Sequence, residues 1–225
     1  MGKPPQSPTL SPKRNSIDHD FWLCRRNGNQ IGFHAVEANA RPIAHLHALS
    51  AAPGSRIFFP LGGKTRDIAS LLSKGHAVIG VELSELAIQH PFDELGAKPE
   101  IADAGPMRHY SAPNLDVFVG DFVVLTPYAT RHLDDVYDRA ALIALPTDMR
   151  TRYVAHVTRF THRAPQLVIC FEYDQTLMDG PAFSINEDEL RPLYVAHCGL
   201  TLWDFGPSAG GPGWVAAPEI AWRLR

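Results

Sequence analysis

Glu82 closes an apolar run from His76 to Val81, and upstream of it Arg56-Ile57-Phe58-Phe59-Pro60 opens into Leu61-Gly62-Gly63-Lys64. A carboxylate at the end of a strand is placed to accept both hydroxyls of a ribose, and paired glycines at the preceding strand-to-helix junction let backbone approach a bulky ligand. Leu61, Gly62, Gly63 and Glu82 therefore describe a site for a nucleoside-containing cofactor. Gly63-Lys64-Thr65 does not form a phosphate loop, because the first glycine such a loop needs would fall at Phe58 and Pro60 stiffens the approach. Further along, Gly120-Asp121-Phe122 follows a β-patterned run, and Arg139 follows Asp138 at another strand end. Arg139 can donate charge-assisted hydrogen bonds to an anion, or can serve only as half of an ion pair with a neighbouring carboxylate. Asp121 reads equally well as a turn residue bonding its own backbone. Trp22 and Phe33 can offer aromatic faces to a ligand or can simply fill a core.

These residues need a scaffold that brings strand ends together, and the alternation of apolar runs with helical patterns supplies one. Strands are expected at 56–60 and 77–82, the first followed by a helix from about Thr65 whose Ile68, Leu71 and Leu72 share a face and which ends near Gly75. Ser84 is placed to cap the next helix, with Glu85 in its first turn. Met107 to Tyr110 and Leu115 to Val119, joined across Pro113-Asn114, predict a hairpin whose second arm enters the sheet. Asp135 to Asp138 is a short strand, Thr147 is expected to cap a helix carrying Met149, Tyr153, Val154, Val157 and Phe160, and Gln166 to Tyr173 is a further strand. Leu200 to Phe205 and Trp214 to Leu224 leave no room for a crossover helix and should pair antiparallel. The expected fold is α/β: a seven-stranded, mostly parallel, doubly wound sheet closed by an antiparallel C-terminal pair.

Composition bounds the rest. A chain of 225 residues fits one domain, and a formal net charge of −3 offers no basic footprint for nucleic acid. Cys24, Cys170 and Cys198 are odd in number and widely spaced, which argues against a disulfide framework and for a reducing cytoplasm. No run reaches the roughly 20 apolar residues that cross a bilayer. His34, His76 and His90 form no metal spacing. Residues 1–16 hold Pro4, Pro5, Pro8 and Pro12 among Ser, Lys and Arg and read as a disordered leader, with a single domain over 17–225 and an N-terminal lid segment at 18–40.

Phe58-Phe59-Pro60-Leu61-x-Gly63-Lys64, Gly80-Val81-Glu82-Leu83-Ser84-Glu85, Tyr137-Asp138-Arg139-Ala140-Ala141-Leu142 and Tyr173-Asp174-Gln175 follow one another in order. In these blocks the chain resembles thiopurine S-methyltransferases, particularly the bacterial members, from about Asp18 to the C-terminus. The resemblance implies a class I fold and methyl transfer from S-adenosyl-L-methionine to a small thiol, or to a selenium or tellurium nucleophile, with detoxification as its use. It also implies that Trp22 and Phe33 close over cofactor and acceptor, that Leu61 contacts the methionine part, that Glu82 holds the ribose, that Gly120, Asp121 and Phe122 contact the adenine, and that Arg139 faces both cofactor and acceptor. Two departures stand out. Gly62 replaces the Cys common in relatives, and Gly210-Gly211-Pro212-Gly213 stands where the animal enzymes carry an Arg near the acceptor.

Such chemistry asks mainly for positioning, so no covalent enzyme intermediate and no metal is expected, and the chain should act as a monomer. Two rival readings share the cofactor geometry. One is a nicotinamide-dependent (NAD) oxidoreductase, although no G-x-G-x-x-G follows the first strand. The other is a non-catalytic S-adenosylmethionine-binding protein on the same fold.

Overall fold

Arg56–Pro60 (β1) and Ala77–Glu82 (β2) lie parallel, with Phe58 facing Ile79 and Pro60 facing Val81 across the pair. The computed structural model describes residues 49, 51–60, 67–197, 199–207 and 217–225. Trp22, Phe33, Leu61, Gly62, Gly63, the 1–16 leader, the 18–40 lid and the Gly210 segment lie outside the described residues.

Between β1 and β2 runs α1, Asp67–Ser73, which buries Ile68 and Leu71. It ends where Gly75 takes a φ of +84°, a conformation that favours a residue without Cβ. Gly75 N–H donates to the Leu72 carbonyl and His76 N–H to the Leu71 carbonyl, the pair of bonds that closes a Schellman cap. The second helix, α2 (Glu85–Glu94), begins after Ser84 as expected, but the Ser84 side chain makes no capping bond.

The remaining elements are β3 (Glu100–Ala104), β4 (Met107–Ala112), β5 (Leu115–Val119), the single turn α3 (Pro127–Thr130), β6 (Asp135–Asp138), α4 (Thr147–Phe160), β7 (Gln166–Phe171), α5 (Glu187–Tyr194), β8 (Leu200–Pro207) and β9 (Pro218–Leu224). The strand order is β3-β4-β5-β2-β1-β6-β7-β9-β8. Strands β5, β2, β1, β6 and β7 are mutually parallel, and β9 enters antiparallel between β7 and β8. The anticipated seven-stranded sheet is the run from β5 to β8. Two antiparallel strands, β4 and β3, extend it at the β5 edge.

Three local expectations need correction. Thr147 is the first residue of α4 and Pro146 occupies the cap position, because the fixed φ of proline suits the turn into a helix. Met149 is 39 % exposed, off the buried stripe of Tyr153, Val154, Val157 and Phe160. Strand β7 stops at Phe171, and Tyr173 belongs to the loop that follows. Helix α5, absent from the sequence reading, is capped by the Asn186 side chain, which accepts from Glu189 N–H. An Asn followed three residues later by Glu was its signal.

Strand alternation sorts the core into two layers. Phe58, Val136, Val168 and Cys170 face α4 and α5, whereas Ile57, Phe59, Tyr137 and Ile169 face α1 and α2. Buried Arg150 links the helices of the first layer: its Nε donates to the Leu145 carbonyl at 2.8 Å, and its guanidinium pairs with Glu189. Among the described residues no helix is long and apolar enough to cross a membrane.

At the amino end of β6, Asp135 is 4 % exposed, and its pKa is pushed up to about 6 from 3.8, first by burial and then by Asp134, with Arg225 opposing. The folded state thus holds this proton more tightly than the unfolded state. Ionised Asp135 costs stability in full above about pH 6, and the cost fades as pH falls from about 6 toward 3.8. Asp135→Asn should raise the melting temperature at pH 7.5 by a few degrees, on the order of 1 kcal/mol once solvent screening is discounted, with most of the gain gone by pH 4; melting curves of both proteins across that range provide the check.

Candidate functional site

Parallel strands put their carboxyl ends on one edge, and the functional residues predicted there fall into two groups. The first begins at Glu82, 1 % exposed at the end of β2. Its Oε1 accepts from the backbone N–H of Leu83 at 2.7 Å and of Ser84 at 3.1 Å, so the carboxylate is fixed where the chain turns into α2. The Gly120 N–H donates to the Glu82 carbonyl at 2.9 Å and holds the end of β5 against the end of β2. Gly120 has a φ of +150°, and a Cβ there would lie 3.1 Å from Cγ of Met107.

Asp121 is exposed and serves as a turn cap: its carboxylate accepts from Val123 N–H at 3.0 Å. Phe122 turns into the core, with ring centroids 6.1 Å from Phe58, 5.3 Å from Tyr153 and 4.7 Å from His156. What this segment offers a ligand is thus mainly the backbone of Gly120 to Phe122. A fixed carboxylate at one strand end, with a glycine-led turn at the adjacent one, fits the ribose and base of a nucleoside.

The second group centres on Arg139, beyond the end of β6 and two strands from Glu82 in the sheet. Its Nη1 donates to Oδ2 of Asp67 at 2.9 Å, and the Tyr137 hydroxyl donates to the same oxygen at 3.1 Å. Tyr137 and Arg139 are two residues apart, so both project toward the α1 layer, while Asp138 projects to the other face. There Asp138 accepts from Ala141 N–H at 3.0 Å, Leu142 N–H at 3.3 Å and the Tyr153 hydroxyl at 2.7 Å. The ion-pair partner of Arg139 is therefore Asp67, distant in sequence, and not its neighbour Asp138.

Burial alone would lower the Arg139 pKa, but Asp67, Tyr137 and Glu219 together raise it above the ordinary value. Burial, followed by the nearby Asp67 carboxylate, pushes the Tyr137 hydroxyl well up, which keeps it protonated as a donor. Burial likewise raises the Asp138 pKa against the hydrogen bonds from Tyr153, Leu142, Ala141 and Ala140 that favour its charge. Asp67, Tyr137 and Glu219 were not singled out from sequence. Tyr137 lay within a quoted block, and Asp67 lay in an expected helix with nothing local to tie it to Arg139.

Tyr173-Asp174-Gln175 shapes the loop after β7. Asp174 caps the turn Gln175–Leu177 by accepting from Thr176 N–H at 2.9 Å, and Gln175 Oε1 accepts from Ser184 N–H at 2.8 Å. Gln175 Nε2 donates to the Tyr173 hydroxyl at 3.2 Å, and that hydroxyl donates to the Ala182 carbonyl. This block holds the loop closed on itself. Among the described residues no His, Cys, Asp and Glu cluster could hold a metal ion.

The family described as thiopurine S-methyltransferase matches residues 17–204 of the chain. A thiopurine S-methyltransferase of Xanthobacter autotrophicus is 48 % identical over 210 residues, covering 92 % of this chain and 99 % of the relative. One from Gluconobacter oxydans is 38 % identical over 216 residues, 96 % and 97 % of the two chains. Among solved structures, the Burkholderia thailandensis 1,6-didemethyltoxoflavin-N1-methyltransferase, with its substrate and S-adenosylhomocysteine bound, superposes with a TM-score of 0.65 at 18 % identity. The match covers 100 % of this chain and 93 % of that one, and at this identity the likeness speaks for the fold.

The Gly120 geometry yields a stability test. Gly120→Ala forces a side chain into a strained φ beside Met107 and should cost about 1–3 kcal/mol, lowering the melting temperature by several degrees. Gly80→Ala, whose Cβ would meet Val117 at an ordinary 3.5 Å, should cost distinctly less in the same melting experiment.

Proposed function

Since this chain belongs to the thiopurine S-methyltransferase family of S-adenosylmethionine-dependent methyltransferases, we propose that it methylates the sulfur of a small thiol, or an equivalent selenium or tellurium nucleophile. Membership in that family sets the nicotinamide-dependent alternative aside. The observation that best supports the proposal is the bond from Gly120 N–H to the Glu82 carbonyl, which holds a ribose acid and a base-facing turn side by side, with Arg139 on the same edge.

S-Adenosylmethionine, when bound, supplies a methyl group already activated on a sulfonium sulfur. In this reading the Glu82 carboxylate accepts the ribose hydroxyls and the backbone of Gly120 to Phe122 borders the base. Arg139, with 18 % of its side chain exposed, faces the acceptor and stabilises its anionic form through charge-assisted hydrogen bonds. A thiol acceptor would lose its proton to solvent and gain the methyl group on sulfur, leaving a thioether and S-adenosylhomocysteine.

No group of the protein has to form a covalent bond to the substrate, so alignment carries the catalysis. Holding the reacting atoms in line can supply about 7–11 kcal/mol at best. Trp22 and Phe33 as closing aromatics, Leu61, Gly62 and Gly63 as the methionine loop, a monomeric state, a cytoplasmic location and a detoxifying use all belong to the same proposal. The fully buried thiol of Cys170, a free cysteine whose pKa is raised by burial, is consistent with a reducing compartment.

The two groups of residues should separate in experiment. Glu82→Ala should weaken S-adenosylhomocysteine binding by about tenfold or more in calorimetric titration, while Arg139→Ala should bind it normally and lose about tenfold or more in kcat/KM for an aromatic thiol. Equal effects of the two substitutions on both quantities would contradict the division of roles.

A further inference from the structure

Arg139 does not approach the carboxyl edge on its own. Its guanidinium meets Asp67, whose side chain is 1 % exposed as the first residue of α1, and Asp67 in turn accepts from the Tyr137 hydroxyl. Tyr137 is fully buried, its ring centroid 5.2 Å from that of Phe59, so the second donor to Asp67 is itself held by the core. A guanidinium carries five N–H donors in a planar fork. Fixing one Nη by a carboxylate in a rigid position selects the rotamer and aims the rest of the fork.

A long side chain with 18 % of its surface in solvent would otherwise spread over several rotamers, and each unproductive one would subtract from the fraction of molecules ready to hold an acceptor. Glu219 of β9, 4 % exposed, adds a further negative charge within electrostatic reach of Arg139. Asp67 both opposes the Arg139 charge and accepts its hydrogen bond.

We propose that Asp67 is a positioning residue for methyl transfer, acting through the Arg139 guanidinium and supported by the Tyr137 hydroxyl. The proposal rests on the role given to Arg139 above. Asp67 touches neither cofactor nor acceptor in this account. Its contribution is the direction in which Arg139 presents its remaining donors, and it should therefore vanish when Arg139 is absent.

A double-mutant cycle reads this directly. Asp67→Asn, Arg139→Ala and the double variant are compared for kcat and KM with an aromatic thiol, for S-adenosylhomocysteine affinity and for melting temperature. Asp67→Asn is expected to lower kcat/KM about tenfold with cofactor affinity kept within about twofold, and to cause no further loss in the Arg139→Ala background. Asp67→Glu, which keeps the charge, should recover part of the activity.

Should Asp67→Asn fail to fold, Tyr137→Phe removes one of the donors to Asp67, with an expected loss of a few-fold that again disappears without Arg139. Equal fold-losses with and without Arg139, or a lowered melting temperature with unchanged kcat/KM, would overturn the positioning role while leaving the methyltransferase reading intact. Absence of any methylated thiol, selenium or tellurium product with the unaltered chain would overturn both this role and the proposed acceptor class.

Discussion

The parallel pairing of β1 with β2 on one side and β6 on the other is the constraint on which the rest of this structure depends. Parallel strands require crossovers, the crossovers place helices on both faces, and the five parallel strands β5, β2, β1, β6 and β7 then end on the same edge. Glu82 at the end of β2, Gly120 beyond β5 and Arg139 beyond β6 share a neighbourhood for this reason alone. The register adds the finer alignment. Glu82 stands opposite Val119, so Gly120 follows directly, and its N–H is the one that reaches the Glu82 carbonyl.

The same edge gathers buried acids, and each is engaged differently. Glu82 is held by backbone N–H groups at the start of α2, and Asp138 by backbone N–H groups and a tyrosine hydroxyl. Asp67 is held by a guanidinium and a second tyrosine hydroxyl. The period of two along β6 separates the last two environments, sending Tyr137 and Arg139 to one face and Asp138 to the other. An acid fixed by backbone can be spared for a neutral ligand's hydroxyls. One paired with Arg139 instead tunes the only cation among the candidate site residues.

Much of the fold was legible because the β1, β2 and β7 segments are apolar runs bounded by turn residues, and because Gly75 marks a cap that needs positive φ. Strand β3 was not legible. Its residues from Glu100 to Asp103 are exposed, and an edge strand in water carries no hydrophobic alternation to reveal it. Glu82 and Arg139 could be singled out because strand ends in α/β sheets are where ligands bind. The role of Asp121 was ambiguous and Phe122 was implied by the resemblance to contact adenine; the first side chain caps a turn and the second packs in the core. Asp67 lies 72 residues from Arg139 along the chain, and a contact of that span leaves no local pattern to read.

Family membership and sheet geometry converge on methyl transfer, and the acceptor is the part on which the account stands or falls. The direct measurement is transfer of a labelled methyl group from S-adenosylmethionine by the purified chain to an aromatic thiol, with the product's bond identified by mass spectrometry. Labelled thioether formed in step with S-adenosylhomocysteine is the predicted result. Saturable binding of S-adenosylhomocysteine with no thioether, and no methylated selenium or tellurium product, would contradict the account.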